Sequence, residues 1–172
     1  MHKIRQVELL LLAGIFLMPH ASAVEPDLLT RHLIGERVAE YAYRWDAKDA
    51  PEFSQLFASD AVLEWVIGGV PEAQKVQGRE NIEAYATQAH QKRLANRQSR
   101  HHFTNLVFKE LSSQSALTEH MFLVTHQLPD EPLRLMSAGI YRIQWVYQDD
   151  QWLIKHRTLF VDRWRVSRAL ER

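Results

Sequence analysis

From Asp27 to Trp45 the apolar residues Leu28, Ile34, Val38, Tyr41, Ala42 and Trp45 fall on one broad stripe. Arg31, Glu36, Arg37, Glu40 and Arg44 lie elsewhere, and this segregation at a helical period predicts a long amphipathic helix. A short helix is expected over Ala50–Phe57, with Asp49 as N-cap, Pro51 in the first turn and Glu52 three residues after the cap. Ala61–Ile67 reads as a strand stopped by Gly68-Gly69. After Gly78 a third helix is expected from Arg79 to Asn96, with Ile82, Tyr85, Ala86, Ala89 and Leu94 on its inner side. The pattern then turns strand-like over Ser99–Leu111, Ser115–Gln127, Leu133–Gln148 and Gln151–Val161. Ser112-Ser113-Gln114, Pro129-Asp130-Glu131-Pro132 and Asp149-Asp150 punctuate these runs as turns. Helices first and long antiparallel strands afterwards argue an α+β fold, with the helices on one face of a curved sheet.

The front of the chain has a different character. Lys3 and Arg5 precede an apolar run from Leu9 to Met18, and Pro19-His20-Ala21-Ser22-Ala23 supplies an Ala-x-Ala pattern. That is the layout of a secretory signal, so export and cleavage after Ala23 are expected, to the periplasm or beyond the cell. The run is shorter than the roughly 20 residues a spanning helix needs, and no membrane association is expected after cleavage. Residues 24–172 then read as one domain without linker or repeat. The 21 basic and 21 acidic side chains cancel. With no basic block, nucleic acid is not an expected partner. The chain has no cysteine, which excludes disulfides and thiol nucleophiles.

Candidate chemistry begins at the end of the first helix. Ile34, Val38, Ala42 and Asp46 are spaced by four and form one ridge. Three apolar members turn the ridge toward the core, where a carboxylate must find a donor; the competing reading is a solvated residue in the turn after the helix. In the strand after Ser99, alternation puts His101, Phe103, Asn105 and Val107 on one face and His102, Thr104, Leu106 and Phe108 on the other. Composition hardly separates these faces, and a strand histidine is more often a packing residue than a catalyst. His120, Phe122, Val124 and His126 share a face of the next strand. In the last strand Arg157 keeps the apolar company of Leu159 and Val161. Facing inward, its guanidinium needs an anionic partner, either Asp46 or a substrate oxygen. Tyr41, Trp45, Trp65, Tyr85, Phe103, Tyr141 and Trp145 can line a cavity suited to an apolar, ring-sized ligand.

The element order resembles the SnoaL-like branch of the NTF2-like superfamily. So do the strings Tyr41-Ala-Tyr-Arg-Trp-Asp46, Leu56-Phe-Ala-Ser-Asp60-Ala-Val, Gly78-Arg-Glu-Asn-Ile82, Arg100-His-His-Phe-Thr-Asn105 and Trp152-Leu-Ile-Lys-His-Arg157. Together they span most of residues 24–172. The resemblance implies a cone-shaped fold, a curved and mostly antiparallel sheet with three N-terminal helices on its concave face. Its lyases (scytalone dehydratase, bile-acid dehydratase and hexachlorocyclohexane dehydrochlorinase) pair an Asp near the end of the first helix with a strand His, and Asp46 and His101 fall at the matching places. The likeness implies that His101 faces inward with Asn105 on the same face, and that His102 faces out. Arg157 matches an Arg of the dehydrochlorinase, Tyr41 a Tyr of the bile-acid enzymes, and His126 a second His of scytalone dehydratase. Trp45 stands where scytalone dehydratase has a Tyr, and the acid of the SnoaL-type cyclases has no clear counterpart.

The expectation is an exported, cofactor-independent lyase of the dehydratase or dehydrohalogenase type. Asp46, His101, Arg157 and Tyr41 would act in catalysis, and Asn105, His126, Phe103, Trp45, Trp65 and Tyr141 would hold the substrate. A double-bond isomerase, or a non-catalytic binding or assembly module, is the rival, since folds host many functions. A metal held by Asp46, His101 and His126 has no tight ligand spacing behind it, so neither metal nor cofactor is expected. An open sheet face argues for a homo-oligomer, a dimer or by family likeness a trimer, with Trp145, Tyr147 and Trp152 supplying an outward patch.

Overall fold

Helix α1 (Pro26–Asp46) buries Ile34, Val38, Tyr41 and Trp45, while Leu28, Leu29 and Leu33 stay exposed. Its stripe therefore closes onto the core only after the first two turns. The structure is a computed structural model that describes residues 26–68 and 73–162; the expected signal segment, residues 1–23, lies outside them. Asp49 caps α2 (Ala50–Ser54), its side chain accepting the Glu52 N–H at 3.2 Å, with Pro51 in the first turn. This helix stops before Phe57, because Phe57 opens strand β1 (Phe57–Ile67) and the Leu56 carbonyl accepts the Ile154 N–H at 2.8 Å. A four-residue strand, β2 (Gln74–Gln77), follows, then α3 (Arg79–Gln91). Beyond α3 a turn, not a further helical stretch, carries Leu94 into the core.

Four long strands complete the chain: β3 (Gln98–Leu111), β4 (Ser115–Gln127), β5 (Arg134–Gln148) and β6 (Gln151–Val161). The described residues form one unclosed, curved sheet in the order β2-β1-β6-β5-β4-β3, antiparallel throughout except where β1 runs parallel to β6. Register shifts with an extra residue in β1, β3, β5 and β6 mark bulges, the device that bends a strand and steepens its twist. Asp149 and Asp150 both take positive φ in the two-residue β5–β6 turn, the conformation that matches the twist of a hairpin. Gly139 permits the closest strand approach. A Cβ there would lie 2.0 Å from the Phe160 carbonyl oxygen, so no other residue fits.

The helices cover the inner face, where Phe53, Phe57, Leu63, Ile82, Ile143 and Ile154 are almost fully buried. Each such side chain contributes roughly 1.5–3 kcal/mol relative to exposure. Trp145 and Trp152 belong to this inner set, at 2% and 3% exposure. The outward patch expected of them does not exist: along β5 Tyr141, Ile143 and Trp145 alternate inward without a break, and the extra residue of β6 between Ile154 and His156 leaves Trp152 and Ile154 on the same side as Arg157 and Leu159. Val107, Met121, Leu123 and Ile140 are exposed apolar residues of the outer face instead.

Candidate active site

Asp46 sits where the α1 dipole opposes a negative charge, and it is 9% exposed. Strand β3 supplies what it needs. Ser99 Oγ donates to Oδ1 at 2.7 Å, the His101 backbone N–H donates to Oδ2 at 2.7 Å, and His101 Nδ1 meets Oδ1 at 2.8 Å. Gln98 Nε2 donates to the Asp46 carbonyl at 2.9 Å, which ties down the end of the helix. Burial pushes the Asp46 carboxyl upward. The hydrogen bond and charge of His101, with the Ser99 and backbone donors, outweigh it and hold the carboxyl below its usual range. An ionised carboxylate only accepts, so Nδ1 must carry a proton, and in the neutral imidazole the lone pair is on Nε2.

The ring of His101, 8% exposed, lines a cavity of about 270 Å³. Tyr41 and Trp45 contribute to it from α1, Trp65 from β1, and Tyr85, Arg93 and Leu94 from α3 and the turn after it. Strands β4, β5 and β6 add Phe122, Val124 and His126, then Met136, Ser137 and Tyr141, then Arg157, Leu159 and Val161. The Tyr41 ring lies edge-on to Tyr141 at 5.6 Å. Burial, then the neighbouring Tyr41, pushes the Tyr141 phenol well above its ordinary range; burial also raises Tyr85, against Arg93 and Arg157. Both phenols therefore stay protonated and able to donate. Burial, and then Arg97 and Arg93, lowers His126, whose Nδ1 has no hydrogen-bond partner.

Arg157 is 2% exposed. Its Nη1 donates to the Glu64 carbonyl at 2.9 Å, and its guanidinium carbon stands 4.7 Å from the centre of the Trp65 ring and 5.4 Å from that of Tyr141. These are cation–π distances. The Asp46 carboxylate, one of the two partners the sequence offered, is held by His101 and Ser99 instead.

The structure thus brings His101, Tyr41, Arg157, Trp45, Trp65, His126 and Tyr141 around one space, with Asp46 held against His101 behind it. Two of the expected substrate-binding residues are elsewhere. Phe103 points inward but packs behind the cavity wall, with ring centres 4.6 Å from His120 and 5.1 Å from Tyr141. Asn105 does not share the His101 face. It takes φ of 57° at a bulge between Thr104 and Val107, is exposed, and donates from Nδ2 to Met121 Sδ at 3.4 Å. The extra residue reverses the alternation, so Leu106 and Phe108 become the residues packed on the core. His102 faces out, with Nε2 3.2 Å from Thr125 Oγ1. Sequence reasoning passed over Ser99 and Arg93. Ser99 had a readable sign, two residues before His101 on the same strand face; Arg93 lies in a turn read as helix.

The fold is that of a known class: the chain belongs to the SnoaL-like domain family, whose model matches residues 26–158. No curated protein matches it. Among solved structures it is similar to a protein of unknown function from Mycobacterium tuberculosis (23% identity, 85% of this chain and 83% of that one, TM-score 0.70). A protein from Novosphingobium aromaticivorans described provisionally as a scytalone dehydratase is similar as well (22%, 84% and 94%, TM-score 0.67). So is a provisional β subunit of an aromatic-ring-hydroxylating dioxygenase from the same organism (20%, 85% and 97%, TM-score 0.71). At these identities the likeness shows the shared fold.

Proposed function

We propose that the protein is an exported, cofactor-independent lyase of the dehydratase or dehydrohalogenase type, acting on an apolar, ring-sized small molecule. One observation carries the reading: an imidazole at the cavity wall whose Nδ1 is bound by a buried carboxylate, leaving Nε2 as its free base. His101 Nε2 takes a proton from carbon beside a carbonyl, and that C–H electron pair becomes the new C=C bond. A hydroxyl on the adjacent carbon leaves as water after taking the proton back from His101; a halide leaves as the anion, and His101 returns its proton to solvent. Asp46 fixes the tautomer and stabilises the imidazolium. Tyr41 and Tyr141 phenols stand at the same wall as donors to the developing oxyanion. A positioned base supplies about 10²–10⁴-fold. The aromatic cavity and its donors supply the remainder.

The test uses a panel of cyclic β-hydroxy ketones and β-halo ketones, followed by ultraviolet absorbance of the conjugated product. Turnover is expected for at least one member. His101→Ala and Asp46→Asn are each expected to lower kcat by at least about 10²-fold, and the double variant to lose little more, because the pair acts as a unit. His102→Ala is expected to keep full activity. Full activity in His101→Ala would overturn the dyad. A wild-type protein that binds panel members and converts none would favour a binding module.

A further inference from the structure

Among the described residues the cavity wall carries two guanidinium groups, Arg157 and Arg93, and no carboxylate. Arg157 is the more telling. It is 2% exposed, none of the salt bridges among the described residues includes it, and its Nε has no hydrogen-bond partner. Among the described residues, one carbonyl and two aromatic faces are its compensation. A buried charge without a counter-charge is costly, and removing that cost is a strong driving force for binding an anion. Asp46 is already committed to His101 and Ser99. Arg93, exposed and on the same wall, adds a second positive charge. Burial and the charges of Arg97 and Arg93 lower His126, and among the described residues both permanent charges on the wall are positive.

We infer that Arg157, assisted by Arg93, forms an anion subsite, and that the ligand class of this cavity is a ring-sized monocarboxylate. The planar guanidinium fork matches a carboxylate. A cavity of about 270 Å³ lined by Trp65, Tyr85 and Tyr141 leaves room for one ring beside it. A carboxylate activates its own α-proton poorly. It therefore serves as the anchor, and a separate carbonyl of the substrate acidifies the C–H presented to His101. This assignment rests on the lyase reading for its chemistry but not for its binding.

The experiment measures binding alone, by calorimetry and thermal shift, with benzoate, cyclohexanecarboxylate and the neutral benzamide as probes. Both carboxylates are expected to bind and raise the melting temperature, with benzamide at least about tenfold weaker, the scale of one charge-assisted bond. Arg157→Met is expected to lose that selectivity while keeping the fold, since an apolar replacement of a buried charge is commonly tolerated. Arg93→Gln, a surface change, is expected to weaken carboxylate binding severalfold and to flatten its salt dependence. His101→Ala should retain benzoate affinity. Equal affinity for benzoate and benzamide, no binding of any probe at millimolar concentration, or unchanged benzoate affinity in both arginine variants overturns the subsite. Should Arg157→Met fail to fold, the benzamide comparison and Arg93→Gln decide. Loss of turnover in the dyad variants with carboxylate selectivity intact, or the reverse, tells failure of one reading from failure of the other.

Discussion

His120 shows how far one buried residue governs the behaviour of the core behind the cavity wall. It is 2% exposed, stacks on Tyr141 at 5.2 Å with rings 6° from parallel, and neither nitrogen has a partner. Burial pushes its pKa down to about 4. An unfolded histidine titrates near 6.5, so between those values the unfolded chain binds the proton more readily. Stability is therefore complete above about pH 6.5 and falls as pH drops toward 4, by about 3 kcal/mol for this group alone. His90 and His126, also lowered chiefly by burial, act in the same direction. Asp46, held below its usual range, adds a loss only in more acidic solution, as pH falls through its lowered value. Thermal melts from pH 7 to pH 4 are expected to show a steep decline, and His120→Phe to flatten most of it. An unchanged profile in that variant would remove His120 as the cause.

At the scale of elements, strand β3 carries the site, and its bulge decides which residues serve it. His101 and Phe103 face inward, and the positive φ of Asn105 then shifts the alternation so that Leu106 and Phe108 also reach the core. Asparagine tolerates that conformation, whereas a β-branched residue is strained there. Asn105→Val is expected to lower stability by about 1–3 kcal/mol, and Asn105→Gly to leave it nearly unchanged, both read by denaturant unfolding. A Val variant as stable as the parent would show that the strand can be extended at this point. Most elements were legible locally. The Asp49 cap, the Asp149-Asp150 turn and the limits of β4 and β6 follow from turn chemistry and period-two alternation. Strand β2 was not legible, since Gln74-Lys75-Val76-Gln77 is a polar edge without apolar rhythm. Nor was the early start of β1, which depends on parallel pairing with β6, far along the chain.

For the whole molecule, the outer sheet face bears on assembly. Thr104, Met121, Ile140 and Phe160 pair in one row across β3, β4, β5 and β6, with Leu123 beside Ala138 in the neighbouring row. Met121, Leu123 and Ile140 are 52%, 47% and 38% exposed. Arg142 and Glu119 flank them as an ion pair at 2.7 Å, offering both signs of charge, as a self-complementary two-fold contact requires. The expected occupant is a second copy of this chain. Light scattering at micromolar concentration is expected to give a dimer, and Leu123→Arg a monomer; a monomeric parent protein would contradict it. The same purified material, made in an exporting host, is expected to begin at Val24 by intact mass.

The sequence by itself determined the order of the elements other than β2, the α+β class and the short set of residues able to do proton chemistry. Those properties are written in nearest-neighbour rhythm, caps and turns, which a local window contains. Only the tertiary structure decided that Asp46 meets His101, 55 residues away along the chain, and that Asp46 leaves Arg157 without a carboxylate. It also placed Asn105 outside and Trp145 and Trp152 inside. These outcomes hang on strand register and sheet curvature, and one bulge anywhere along a strand reverses every face that follows it.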